Sequence, residues 1–222
     1  MAVVNRSTWI KEKRRVSMQR MDTEWSSIYD ENWGRISQLH QQMFGRFLRG
    51  CPEHALILDA ACGTGKYWPM VLVSGRRVFG IDQSLGILSR ARTKFPMVPT
   101  EQVGLQEMAF QAQFDAATCI DAMESVFPED WPLVLKNIQR ALKPGSLFYF
   151  TVELMAEQEI VEAFATAQQE GMPVVYGEWT LENKYHYYPK IEQAKVWIEQ
   201  AGFQLAEEAA GDEYHHFIVM KA

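Results

Sequence analysis

The sequence predicts an α/β fold in three layers: a mostly parallel sheet of seven strands between helices, ending in an antiparallel hairpin at the sheet edge. Three observations carry this. From Ala55 onward short apolar runs alternate with longer amphipathic stretches, the pattern of strand–helix–strand units. A glycine turn, Gly63-Thr64-Gly65, joins the first run to its helix. The last two runs are separated only by Gly211-Asp212 and neighbours, too short a link for a crossover, so they pair as a hairpin.

The elements follow in order. Strand one spans Ala55 to Ala60 after the breaker Pro52, and a helix follows the glycine turn to about Ser74. Arg77 to Ile81 is strand two. Ser84 caps the next helix, where Leu85, Leu88, Ala91 and Phe95 recur at helical spacing until Pro96 stops them. A weak strand lies near Thr100 to Val103, and Phe114 to Ile120 is an apolar strand. Trp131 to Leu142 carries Pro132 in its first turn and Leu135, Ile138 and Leu142 on one face, so it is helical. Leu147 to Val152 is a strand and Met155 to Gln169 a helix. Gly171 to Pro189 breaks the pattern, with Tyr176, Trp179, Tyr185, His186, Tyr187 and Tyr188 in no clean period, as a lid or binding wall would. Ile191 to Gly202 is a helix, and the hairpin strands are Phe203 to Glu208 and Tyr214 to Lys221. Residues 1–50 form an N-terminal helical extension or lid, and 51–222 the main domain, with an insertion at about 154–189.

Composition narrows the function classes. The 222 residues are 47% apolar and 23% charged, enough for one core with decorations. A formal charge of −6 gives no general attraction for phosphate backbones, so a small-molecule substrate is favoured over nucleic acid. The first twenty residues depart from that balance, with Arg6, Lys11, Lys13, Arg14, Arg15 and Arg20 against the single acid Glu12. That run reads as a solvated helix or tail, with a nucleic-acid or membrane arm as the alternative. Cys51, Cys62 and Cys119 are widely spaced and form no CxxC pair, which points to reduced thiols in a cytoplasmic protein. No segment has the length and apolarity of a membrane span or a signal peptide. The expected assembly is a monomer or homodimer.

The informative run is Leu56-Ile57-Leu58-Asp59-Ala60-Ala61-Cys62-Gly63-Thr64-Gly65, a buried strand delivering an acid into a glycine turn. Glycine there lets the main chain approach a flat ligand closely. Asp82 ends strand two where nucleotide-binding sheets hold a ribose diol, since one carboxylate accepts from both hydroxyls. A dinucleotide site would carry a third glycine where this chain has Trp68, which argues for a cofactor without a pyrophosphate.

These segments resemble the first two motifs of class I S-adenosylmethionine-dependent methyltransferases: Asp59 to Gly65, then Gly80-Ile81-Asp82-Gln83-Ser84. Phe114-Asp115-Ala116-Ala117, Leu142-Lys143-Pro144-Gly145-Ser146-Leu147 and the hairpin after Ala201-Gly202-Phe203 are similar to later segments of that Rossmann-like fold, with Ser146 where the family has a second glycine. The resemblance runs from Ala55 to about Ala222. It implies S-adenosylmethionine as cofactor, with S-adenosylhomocysteine as product. Gly63 and Gly65 would then approach the methionine part, with Asp59 and Ala60 beside them and Asp59 near the ammonium. Asp82 and Gln83 would hold the ribose. Gln106, in Leu105-Gln106-Glu107, would flank the adenine, and Ile120 and Asp121 the amino-acid end. Tyr29 and Trp33 would close over the cofactor from the N-terminal segment.

Methyl transfer is an in-line displacement, so alignment is the main task and a base matters where the nucleophile must lose a proton. Candidate bases are His186 in the aromatic insertion and His215 and His216 on the last strand, only one of which can face a given pocket. Glu153, at the end of strand five, is a further candidate, and Glu124 and Asp121 compete between site and turn roles. No His and carboxylate spacing marks a metal site. Two alternatives stay open: an NAD(P)-dependent oxidoreductase, and a non-catalytic S-adenosylmethionine-binding module.

Overall fold

The computed structural model describes residues 5–182 and 184–222. Helices α1 (Arg6–Arg20), α2 (Tyr29–Trp33) and α3 (Gln38–Gly50) precede the sheet, with a wider π turn at Met21–Trp25. Strands β1 (Leu56–Ala60), β2 (Arg77–Asp82), β3 (Thr100–Gln102), β4 (Phe114–Cys119) and β5 (Leu142–Glu153) then alternate with α4 (Trp68–Val73), α5 (Leu85–Lys94) and α6 (Trp131–Ala141). After α7 (Glu157–Gln169) come β6 (Glu178–Leu181) and β7 (Lys184–Tyr187), then α8 (Ile191–Gln200), β8 (Phe203–Ala210) and β9 (Tyr214–Lys221).

The main sheet has seven strands in the order β3-β2-β1-β4-β5-β9-β8, parallel except at β9 and β8. That is the predicted α/β sandwich with its antiparallel edge. Its order reverses between β1 and β4, and sheets of this kind bind ligands at the carboxyl ends of the strands flanking such a reversal. One face carries a core built around Trp131, Phe148, Phe150 and Phe217, reached by α6 and α8. The opposite face packs Phe44, Phe47, Trp68 and Tyr149, with α3, α4 and α5.

Three expectations shift. The helix expected to begin at the glycine turn starts only at Trp68, because Ala61, Gly63 and Gly65 have φ of 57°, 56° and 80°, a left-handed run that no α-helix admits. Strand β5 begins at Leu142 rather than Leu147, with a register shift against β4 between Phe114 and Ala116. The aromatic insertion contains a separate two-stranded antiparallel sheet, β6 with β7. Its alternation, Tyr185 and Tyr187 buried and His186 half-buried between them, is too short to stand out in sequence. Helix α3, which falls within the expected N-terminal extension of residues 1–50, buries Met43, Phe44, Phe47 and Leu48 in the core.

The basic N-terminal run is also more tightly engaged than a solvated tail. Arg6 pairs with Glu129 and, at 2.8 Å, with Glu178; Arg14 pairs with Asp130; Lys13 donates to Thr180 Oγ1 at 2.7 Å and to the Glu182 carbonyl at 3.0 Å. Arg6 and Arg14 neutralise acids of the same chain, which leaves less charge for an external polyanion. Helix α1 has no fully buried residue and is held by these polar contacts together with Trp9 and Ile10, which pack against the core beside Phe127 and Tyr185. The three cysteines are free and buried. Among the described residues no helix is long and apolar enough to cross a membrane.

Candidate cofactor and acceptor site

A cavity of about 1030 Å³, counting its space open to solvent, lies at the carboxyl ends of β1, β2 and β4. Its walls include Ala61, Gly63, Asp82, Gln83, Gln106 and Asp121, and the N-terminal segment covers it with Lys13, Arg14, Ser17, Met21 and Tyr29.

The floor is main chain. At Gly63 a Cβ would stand 3.2 Å from the Tyr29 hydroxyl, on a backbone already at positive φ. The Gly63 amide donates to Asp82 Oδ2 at 3.0 Å, and the Ser84 amide to Oδ1 at 2.9 Å. Burial raises the Asp82 carboxyl above its ordinary value, and the two amides counter that. Each oxygen keeps acceptor capacity toward the cavity, which is what a ribose diol requires. Helix α5 begins beside this acid, and its first turn is clasped from far away in sequence: Asp22 Oδ1 accepts from the Ser84 hydroxyl at 2.6 Å and the Gly86 amide at 2.9 Å. Asp30 binds Thr64 in the glycine turn and Lys94 at 3.0 Å. The loop of Leu105 and Gln106 is held from below by Asn137, buried in α6, whose amide donates to the carbonyls of both at 3.0 Å each.

Other expected cofactor contacts turn inward. Asp59 is buried and accepts from Trp68 Nε1 at 2.7 Å and Thr118 Oγ1 at 2.8 Å. Burial raises its carboxyl to about 6. Gly65 serves packing, since a Cβ there would stand 2.6 Å from the Trp68 ring. Trp68 is fully buried, so the residue in place of a third glycine is a core anchor tied to the motif's own acid. Ala60 and Ile120 are core residues. Trp33 is 43% exposed and packs on Tyr29 and Trp25. None of these five lines the cavity.

The second bank is assembled from distant segments. Asp121 has φ of 53°, an uncommon conformation for a side-chain-bearing residue and one often found at functional sites. Its carboxylate meets His40 Nε2 at 2.8 Å and Lys66 Nζ at 3.0 Å. Burial would raise Asp121, but the His40 hydrogen bond and charge, with Lys66, outweigh it and hold the carboxyl below its usual range. Behind His40 lies His216, rings 4.5 Å apart, whose Nδ1 bonds the Tyr149 hydroxyl at 2.8 Å. Burial lowers His216 to about 4, so this ring is neutral and sits one layer behind the cavity. His215 points to the other face of the sheet, pairing with Glu208 at 2.9 Å. His186 Nδ1 lies 2.5 Å from Glu153 Oε2 and 3.2 Å from the Tyr188 hydroxyl. Strand β7 packs beside the short turn Met123–Ser125 that follows β4, which brings this pair to the same end of the sheet.

Sequence reasoning missed Asp22, Asp30, His40, Lys66 and Asn137. Lys66 directly follows the glycine turn and was within reach of motif reading. The others act on partners about 30 to 80 residues away, and no local pattern marks them.

The sheet order, the cavity at its reversal, the glycine floor and the acid ending β2 define a nucleoside-binding protein of the Rossmann-like class. Residues 57–145 match the family model described as a methyltransferase domain. The YqeM methyltransferase of Bacillus subtilis is 30% identical over 147 residues, and the match takes in 63% of this chain and 58% of that protein's length. A demethylmenaquinone methyltransferase of Chlorobaculum parvum is 25% identical over 89% of each chain. A tRNA (carboxymethyluridine(34)-5-O)-methyltransferase of Schizosaccharomyces pombe is 26% identical over 77% of this chain and 70% of its own. In fold the chain is similar to the Burkholderia thailandensis 1,6-didemethyltoxoflavin-N1-methyltransferase, solved with its acceptor and S-adenosylhomocysteine, at a TM-score of 0.69 and 16% identity, over 100% of this chain and 93% of that one. These matches, with the fold and the site, support a class I S-adenosylmethionine-dependent methyltransferase with S-adenosylmethionine as its cofactor.

Proposed function

We propose that the chain transfers the methyl group of S-adenosylmethionine to a small-molecule acceptor, with His186 as the general base and Glu153 as the carboxylate that orients it. The observation that carries this is the 2.5 Å contact between His186 Nδ1 and Glu153. It fixes one ring nitrogen and leaves Nε2 to take a proton. His215 and His216, the other candidates, are engaged away from the cavity by Glu208 and Tyr149.

Asp82 and Gln83 would hold the ribose, Gln106 would flank the adenine, and Gly63 would admit the methionine part. When bound, the cofactor supplies a methyl group activated by a sulfonium. The chain's own contribution is alignment and exclusion of water. Tyr29 and α1 close the cavity, and proximity of reactants in a closed site is worth ~7–11 kcal/mol. We read residues before Gln38 as the lid, since they cover the cavity and are anchored at Ser84, Thr64 and Asp130. A small acceptor is supported by the formal charge of −6, by the use of Arg6 and Arg14 on internal acids, and by the acceptor of the demethylmenaquinone relative.

The test is incubation with methyl-labelled cofactor and fractionated metabolites or tRNA, alongside calorimetry. Label is expected in a small molecule. His186→Ala is expected to lower turnover by ~10²–10⁴-fold while leaving cofactor affinity unchanged. Label in tRNA alone, or undiminished turnover in the variant, would overturn the respective part of the reading.

A further inference from the structure

Two buried polar side-chain atoms close behind the Asp121 wall of the cavity, neither in its lining, have no hydrogen-bond partner among the described residues: Oε2 of Glu124 and the hydroxyl of Tyr67. Glu124 is 7% exposed and Tyr67 6%. Buried polar atoms in folded proteins are nearly always paired, so an orphan in a binding region points to a missing ligand group. Glu124 stands on the turn after β4, between Ala122 and Ser125, both of which line the cavity.

The surroundings define the chemistry of that ligand. Glu153 and Asp121 both oppose the ionisation of Glu124, and burial opposes it most. The neighbouring nitrogen groups are engaged elsewhere: Lys66 and His40 with Asp121, His186 with Glu153. Among the described residues Glu124 is thus the one acid of the three with no such partner. Nearby, the hydroxyls of Tyr29, Tyr188 and Tyr214 are kept protonated by burial and by these same carboxylates; the Tyr29 ring lines the cavity, Tyr188 packs on His186 and Tyr214 on His40. An acid flanked by acids, with aromatic rings nearby, suits a group that carries N–H donors and positive charge. An anionic acceptor would add a further negative charge to a bank already short of cations.

We propose that Glu124 is the specificity-determining residue of the acceptor site and that the acceptor is a primary or secondary amine whose N–H groups it receives. This rests on the methyl-transfer reading above. In the step it implies, the bound ammonium gives one proton to His186, and the lone pair so freed forms the new N–C bond as the C–S bond breaks, that bonding pair staying on sulfur. The positive charge of the sulfonium passes to the methylated ammonium.

Amine and alcohol partners of equal shape test this by binding alone. Tyramine and 2-phenylethylamine, beside tyrosol and 2-phenylethanol, are titrated calorimetrically into the full chain saturated with S-adenosylhomocysteine. Each amine is expected to bind at least tenfold tighter than its alcohol. In Glu124→Gln that preference is expected to fall below threefold, with S-adenosylhomocysteine affinity within twofold of the unaltered chain. Alcohols that bind as tightly as amines, amines that fail to bind, or a variant that keeps the preference would each overturn the proposal. The comparison within the unaltered chain stands even where the variant does not fold. Failure of that chain to bind S-adenosylhomocysteine would instead overturn the reading on which the proposal rests.

Discussion

The two banks of the cavity are built on different principles. The proposed cofactor bank is main chain and one acid, drawn from Ala61 to Ser84, with its glycine turn and its carboxylate bonded to each other through the Gly63 amide. The proposed acceptor bank is side chains: Asp121 in the cavity wall, paired with His40 and Lys66, and behind it the His186–Glu153 pair and the unpaired Glu124. The first bank is rigid because a strand and a turn fix it. The second can change its chemistry by single substitutions without disturbing the sheet, which is how one cofactor fold serves many acceptors.

Damage to each bank should therefore register in a different measurement. The largest effect is expected from Gly63→Val. The new side chain meets Tyr29 in a left-handed backbone position that a β-branched residue resists. Loss of ~2–3 kcal/mol, or ~30–100-fold in cofactor affinity by calorimetry, is expected, since 1.4 kcal/mol is tenfold. An unchanged affinity would show that the turn is not the cradle.

Next is Asp22→Ala, which removes the distant cap on α5. Caps of this kind contribute ~1 kcal/mol, so a fall of a few degrees in Tm with a severalfold loss of cofactor affinity is expected. A Tm change with no affinity change would separate the N-terminal segment from the cofactor bank.

Asp59→Asn sharpens the comparison through pH. The folded Asp59 carboxyl is raised to about 6 from an ordinary 3.8, so the folded state favours the protonated form. Its ionisation costs stability above pH 6, and the cost is absent below about pH 4. The variant is expected to gain Tm relative to the original chain at pH 8 and to show no such gain at pH 4. The smallest effect is electrostatic: raising salt from 0.05 to 0.5 M is expected to speed cofactor release about twofold or less in stopped-flow, because exposed ion pairs such as Arg14–Asp130 hold α1 in place.

The same contrast explains what was legible in the sequence. The α/β sandwich, its edge hairpin and the cofactor bank could be read because strand periodicity, the Gly63–Gly65 turn and Asp82 are local signals. Asp59 and Gly65 were identified as motif positions, yet their side-chain partners were not, because Trp68 folds back onto both. The acceptor bank was only partly legible. His186 and Glu153 were each named as candidates, but their pairing depends on a two-stranded insertion sheet too short for periodicity to reveal. His216 looked free as a sequence residue, and Tyr149 and His40 engage it only across the fold. The N-terminal run seemed a solvated basic stretch because its acidic partners, Glu129, Asp130 and Glu178, lie more than a hundred residues away.

The clasp between Asp22 and the start of α5 spans 62 residues of chain. A shortened version beginning near Ser37 would keep α3 and the sheet with the buried residues of both cores. It would nonetheless lack the acid that steadies the ribose corner and the residues that roof it. Fragments of this kind are attractive for crystallisation and ligand screening, and here they would under-report affinity.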